Sequence, residues 1–128
     1  MATIDRVSVQ RWLDNYVQAW LSYDPEQIGA LFTEDAVYRY APYQEPLLGR
    51  DAIVASWLEN RDTAGTYQAH YEPIAVEGDA AVSHGRSQYF EADGTTPKDE
   101  FDNIFVMRFN DDGCCADFCE WYMRRPKQ

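Results

Sequence analysis

Positive charge is scarce in this chain: 11 Lys and Arg stand against 22 Asp and Glu, a formal net charge of -11 over 128 residues. Such a surface repels phosphate backbones and anionic headgroups, which argues against nucleic-acid and membrane partners. Long apolar runs are missing too, so no segment reaches the length of a membrane span. The opening Met1–Asp5 has no cationic start, apolar core or cleavage site, so no secretory leader is expected. Cysteine is sparse and bunched at Cys114, Cys115 and Cys119. An odd number without a leader predicts reduced thiols in the cytoplasm. Asp111, Asp112, Asp117 and Glu120 surround these thiols with negative charge, which makes them inert. Their spacing lacks C-x-x-C, and only His70 and His84 are available to complete a zinc site, so no metal is expected. There is no G-x-G-x-x-G, Walker loop or G-x-S-x-G elbow. Nucleotide cofactors and serine-hydrolase chemistry have no support, and no cofactor is expected.

Aromatic residues are abundant instead. Four Trp, nine Tyr and six Phe exceed what one small core requires, so some should line a cavity or an interface. The length allows one core, and residues 1–128 are read as a single domain.

The first helix is marked by Val9, Trp12, Leu13, Tyr16, Val17, Trp20 and Leu21, a stripe at i, i+3, i+4 spacing. Asp24-Pro25-Glu26-Gln27 opens a second helix, ending near Phe32: Asp24 caps, Pro25 suits the first position and Gln27 can reach back to the cap. Tyr23 and Ile28 are spaced as a hydrophobic staple. A short strand follows over 36–41. The third helix begins around Gly49 to Asp51 and carries Ile53, Trp57 and Leu58 on one face. After Gly65 four alternating runs, 66–76, 80–92, 100–109 and 114–124, are separated by Gly- and Asp-rich turns and predict an antiparallel meander. Helices gathered before strands indicate an α+β fold, with about three helices on the concave face of a curved antiparallel sheet.

That order, with Ala30-Leu31-Phe32-Thr33-Glu34-Asp35-Ala36, Gly49-Arg50-Asp51-Ala52-Ile53 and Val106-Met107-Arg108-Phe109-Asn110-Asp111-Asp112-Gly113, resembles the nuclear transport factor 2-like superfamily, in its SnoaL-like and ketosteroid-isomerase-like branch. The resemblance covers nearly the whole chain and implies a cone-shaped, cystatin-like fold with a pocket. It does not settle a function, because this fold hosts many. Against the isomerase pattern, Tyr16 stands where a helix tyrosine is expected, but Tyr40 and Phe105 occupy the two carboxyl positions. Proton transfer by that mechanism needs those carboxyl groups, so steroid isomerisation is excluded.

The same register assigns faces, since strand side chains alternate. Tyr38 and Tyr40 point inward, joined by His84, Arg86 and Gln88, by Asn103 and Phe105, and by Phe118, Glu120 and Tyr122. Tyr16, Trp20, Phe32 and Trp57 contribute from the helical side. The opposite face holds Tyr89, Ile104, Val106, Cys115, Cys119, Trp121 and Met123. An uncovered apolar face predicts pairing with a second copy, the association common among such relatives.

Glu120, between Phe118 and Tyr122, is either a general acid or base with a raised pKa or the partner of Arg86 in a buried ion pair. His84 is either a proton shuttle or a satisfied polar residue. The tyrosine hydroxyls suit a carbonyl or hydroxyl, Arg86 a carboxylate, and Asn103 a polar group. Two functions emerge. One is a protein that binds a small, largely apolar molecule in the pocket, either as a ligand-binding module or as an enzyme that moves a proton on it through Glu120 or His84, without a cofactor. The other is an adaptor that docks a protein on its outer face or rim.

Overall fold

The computed structural model describes residues 4–127; the reading drawn from the chain's start rests partly on Met1–Thr3, outside that range. Helix α1 (Arg6–Ser22) begins at a cap the sequence reading passed over. The Asp5 carboxylate accepts from the Ser8 backbone N–H at 2.7 Å, and the Ser8 hydroxyl accepts from the Asp5 N–H at 3.0 Å. Together they satisfy two orphan donors of the first turn. Val9, Trp12, Leu13, Tyr16 and Ala19 form its buried stripe, while Leu21 faces solvent.

Helix α2 (Pro25–Gly29) starts at the expected Asp24 cap, whose carboxylate accepts from the Glu26 N–H at 2.9 Å. Gln27 does not return to that cap; its carbonyl accepts from the Ser22 hydroxyl at 2.7 Å. The helix stops at Gly29 because Leu31 and Phe32 are already drawn into the core, and strand β1 (Phe32–Arg39) starts earlier than expected. Strand β2 (Leu47–Leu48), unforeseen, pairs with β1 before helix α3 (Arg50–Glu59). The meander follows as β3 (Tyr67–Glu77), β4 (Ala80–Phe90), β5 (Pro97–Phe109) and β6 (Cys115–Arg124).

The six strands lie in the order β2-β1-β6-β5-β4-β3. The sheet is mixed rather than wholly antiparallel, because β1 runs parallel to β6. Their register slips between Phe32 and Val37, where the chain bulges. Arg50 clamps this bulge, donating from Nε and Nη2 to the Phe32 carbonyl at 3.1 and 2.9 Å.

Strand β3 is an edge, and α1 covers it. Gln10 Nε2 donates to the Tyr71 carbonyl at 2.9 Å, Arg6 donates to the Pro73 carbonyl, and the Tyr67 hydroxyl donates to the Trp20 carbonyl at 2.6 Å. The Tyr71 and Pro73 carbonyls, which would otherwise invite another strand, are thereby occupied. Between helices and sheet, Leu13, Ile28, Phe32, Ile53, Phe105 and Phe118 are fully buried. Each contributes on the order of 1.5–3 kcal/mol through apolar burial.

Two face assignments are inverted. Cys115, expected on the outer face, is fully buried in the core, because the register of β5 and β6 shifts between Arg108 and Phe109 and pairs Cys115 with the buried Phe109. The second is the facing of β4. In β4, Ser83, Gly85 and Ser87 are buried, whereas His84 and Arg86 are exposed. The cause is local crowding. Gly85 lies opposite Tyr71, and any Cβ on it would overlap the Tyr71 ring and the His70 carbonyl oxygen. Only small side chains fit inward along this stretch, so the large polar ones turn out and Tyr89 comes in.

Candidate functional site

The curved sheet and the helices leave a cavity of ≈ 330 Å³. Strand β6 sets its depth: Tyr122 is 51% exposed at the rim, Glu120 comes next inward, and Phe118 is fully buried. Alternation places all three on one face, so Glu120 enters an aromatic hollow instead of water. Loss of hydration pushes its carboxyl up to about 7, partly offset by a hydrogen bond from Asn103. That bond runs from Asn103 Nδ2 to Glu120 Oε2 at 2.6 Å. The Asn103 carbonyl is itself held by the Ser87 hydroxyl, at 3.0 Å. A three-residue chain therefore aims the carboxylate and fixes which way the Asn103 amide points.

Phenols surround the inner end. The Tyr16 and Tyr38 hydroxyls lie 3.4 Å apart, and Tyr38 stacks on Phe118 at 4.6 Å. Burial pushes both phenols well above their ordinary range, and the Glu120 charge adds to it in each; their mutual hydrogen bond raises Tyr16 further and partly offsets the rise of Tyr38. Tyr71 is raised by the same two causes, burial first. All three stay protonated at neutral pH and remain donors. Tyr40 shares a hydrogen bond with Ser56 at 2.9 Å, and the buried indole N–H of Trp57 has no acceptor.

Trp20, Tyr23 and Asp62 also line the cavity, with Asp62 on the connection between α3 and β3. Trp20 Nε1 donates to Asp62 Oδ2 at 3.1 Å, and the Asp62 backbone N–H donates to the Tyr23 hydroxyl at 2.8 Å.

Of the residues expected from the sequence, Tyr16, Trp20, Tyr38, Tyr40, Trp57, Asn103, Glu120 and Tyr122 line the cavity together. Phe105 and Phe118 pack behind them, with Phe105 4.5 Å from the Tyr71 ring. Three residues do not join. His84 Nε2 lies 3.1 Å from Asp102 on the outer face, Arg86 Nε lies 3.5 Å from the same carboxylate, and Gln88 bonds to Gln68 and Glu100. The Glu120–Arg86 ion pair is therefore ruled out, and His84 stands across the sheet from Glu120. Tyr89, assigned outward, lines the cavity.

Sequence reasoning missed Tyr23, Asn60, Asp62, Tyr71, Ser87, Tyr89 and Phe101. Gly85 was the usable signal: a glycine inside a strand marks close approach, here by Tyr71. Asp62 carried no signal, because only the fold brings that connection to Trp20. Among the described residues, no group of three His, Cys, Asp or Glu is arranged to hold a metal ion. No described helix is long and apolar enough to cross a membrane.

A family model described as a SnoaL-like domain matches residues 13–117. Solved structures share the fold. A protein of Kribbella flavida named for the ketosteroid isomerases superposes with a TM-score of 0.71 at 14% identity, over 97% of this chain and 84% of its own. ActVI-ORFA from Streptomyces coelicolor gives 0.69 at 18% identity, over 91% and 95% of the two chains. An M. tuberculosis LEH-like epoxide hydrolase gives 0.67 at 12% identity, over 92% and 84%. No curated protein matches the chain in sequence. At these identities the likeness establishes the nuclear transport factor 2-like, cystatin-like fold and leaves the chemistry to the site itself.

Proposed function

The chain belongs to the SnoaL-like domain family, and we propose that it binds a small, largely apolar molecule in the cavity and moves a proton on it through Glu120. The observation that carries this reading is the Glu120 carboxylate. It lies inside an aromatic cavity, is aimed by Asn103, and has its pKa lifted to about 7. A base poised near neutral pH is what proton abstraction beside a carbonyl requires. In the reaction, Glu120 takes a proton from carbon, and the electron pair moves onto the carbonyl oxygen. Tyr16 or Tyr38 donates to that oxygen, and Glu120 returns the proton to the same or a neighbouring carbon. Isomerases, cyclases and dehydratases share this step, and it needs no cofactor. His84 has no part in it, since it faces the opposite side of the sheet.

The test is deuterium exchange of the α-protons of 2-tetralone in D2O, followed by proton NMR. Wild-type protein is expected to accelerate exchange over buffer. Glu120→Gln should lose about 100-fold or more, and His84→Ala should change nothing. Equal exchange by wild type and Glu120→Gln would remove Glu120 as the base.

We also propose that two copies pair through the outer face, where Val106, Trp121 and Met123 are exposed beside Ile104 and Cys119. Sedimentation should show a dimer at micromolar protein, and Val106→Asp should yield monomers. A wild-type monomer would leave this face to a different protein and favour the adaptor reading. Three free cysteines support a reducing, cytoplasmic setting, and the net charge speaks against nucleic-acid or anionic membrane partners.

A further inference from the structure

The cavity has a charge bias that the proton-transfer reading does not use. Its lining includes two carboxylates, Glu120 and Asp62, but no Lys, Arg or His. Ten of the fifteen lining residues are aromatic, and their ring faces carry partial negative charge. A ligand carboxylate or phosphate would meet repulsion there and no counter-charge.

Asp62 is held as a built acceptor. Its Oδ2 receives Trp20 Nε1 at 3.1 Å and the Tyr23 hydroxyl at 3.5 Å, while its own N–H anchors that hydroxyl at 2.8 Å. Among the described residues no side chain forms an ion pair with it, and no donor reaches Oδ1. Tyr23, the second residue of this arrangement, sits at φ +50°, the left-handed region that a bulky side chain rarely adopts. It is the only described non-glycine residue with positive φ. That conformation ends α1, with the Tyr23 N–H donating to the Ala19 carbonyl at 2.8 Å, and it turns the Tyr23 hydroxyl to the Asp62 N–H and carboxylate. The Tyr23 ring already attracts a cation: the Arg61 guanidinium, outside the cavity lining, lies 5.5 Å from its centre.

We propose that Asp62, with the rings of Trp20, Tyr23 and Tyr89, forms a cation subsite, so that the ligand carries an ammonium group on an apolar or aromatic body. This rests on the cavity being a ligand pocket. The body occupies the aromatic interior near Glu120, and the ammonium pairs with Asp62 Oδ1 against ring faces. The site thereby separates two tasks, charge recognition at Asp62 and proton transfer at Glu120.

The experiment is an NMR titration with phenethylamine, 2-phenylethanol and phenylacetate, three probes of similar shape and different charge. The indole N–H signals of Trp20 and Trp57 and the Asn103 side-chain amide report binding. Phenethylamine is expected to bind about tenfold tighter than the alcohol, and phenylacetate not measurably. Asp62→Asn should abolish the amine's advantage and leave the alcohol's affinity unchanged. Independently of any variant, raising salt from about 20 mM to about 0.5 M should weaken the amine alone. Equal affinity for amine and alcohol, or a preference that survives Asp62→Asn, overturns the subsite. If the alcohol still shifts Trp57 and Asn103 in that case, the pocket reading stands and only the subsite falls. If no probe shifts any of these signals, both fall.

Discussion

The two faces of the central strands hold similar numbers of polar groups and treat them in opposite ways. Inside, Ser87, Asn103 and Glu120 form one desolvated chain of hydrogen bonds among aromatic rings. Outside, His84 and Arg86 share Asp102 with side chains roughly half exposed. The outer trio contains the more obvious catalytic residue types, including a histidine. The inner trio has the environment that alters chemistry. A charge in water keeps its ordinary properties, and a charge out of water does not.

Gly85 is the place to break this contrast outright. Gly85→Ala puts a methyl group into the Tyr71 ring and within 2.7 Å of the Tyr71 Cα. The strand cannot turn over without carrying Arg86 and His84 inward. A loss of about 3 kcal/mol or more is expected, seen as loss of the cooperative transition in circular dichroism. A variant as stable as wild type would show that the inner face has more room than described.

Glu120→Gln sharpens the contrast through pH. The folded-state carboxyl value, about 7, lies above the ordinary 4.5, so the folded protein keeps a proton that the unfolded chain releases between those values. Stability is whole below pH 4.5 and falls by about 3 kcal/mol as pH rises through 7. Urea midpoints should therefore show Glu120→Gln more stable than wild type at about pH 8 and little changed at about pH 4.5. A variant less stable at the higher pH would mean the carboxylate is well solvated.

Asn103→Leu tests the link between the two. It removes the bond that holds the Glu120 value down, so the pH midpoint of exchange should move up from about 7. An unmoved midpoint would make Asn103 a spectator. The smallest effect belongs outside. His84→Ala with Arg86→Ala should alter stability by about 1 kcal/mol or less and leave exchange unchanged, because exposed ion pairs contribute little.

Much of this was legible beforehand, for identifiable reasons. The Asp24-Pro25 start and the turns of the meander follow from local signals, and the inward positions of Tyr38, Asn103, Phe118 and Glu120 follow from strand alternation once the isomerase-like resemblance sets the register. The facing of β4 did not follow. Its alternation of Ser83, Gly85 and Ser87 with His84, Arg86 and Gln88 offers no apolar side to read, and volume decided it. Seen that way, the glycine was the informative residue and the histidine a distraction. Strand β2, the bulge in β1 and the parallel join to β6 depend on contacts distant in sequence, as does the meeting of Asp62 with Trp20.

The parallel join of β1 to β6 also bears on how the chain assembles. Phe32 pairs with Cys115 and Tyr38 with Phe118, so the sheet closes between segments separated by most of the sequence. The entropy of closing so long a loop must be met before those contacts give anything back, which predicts slow folding for a domain of this size. During synthesis, β1 and its tyrosines emerge long before their partner strand. Until β6 arrives, the inner edge of β1 is an unpaired, aromatic strand edge, and this is where misassembly would begin.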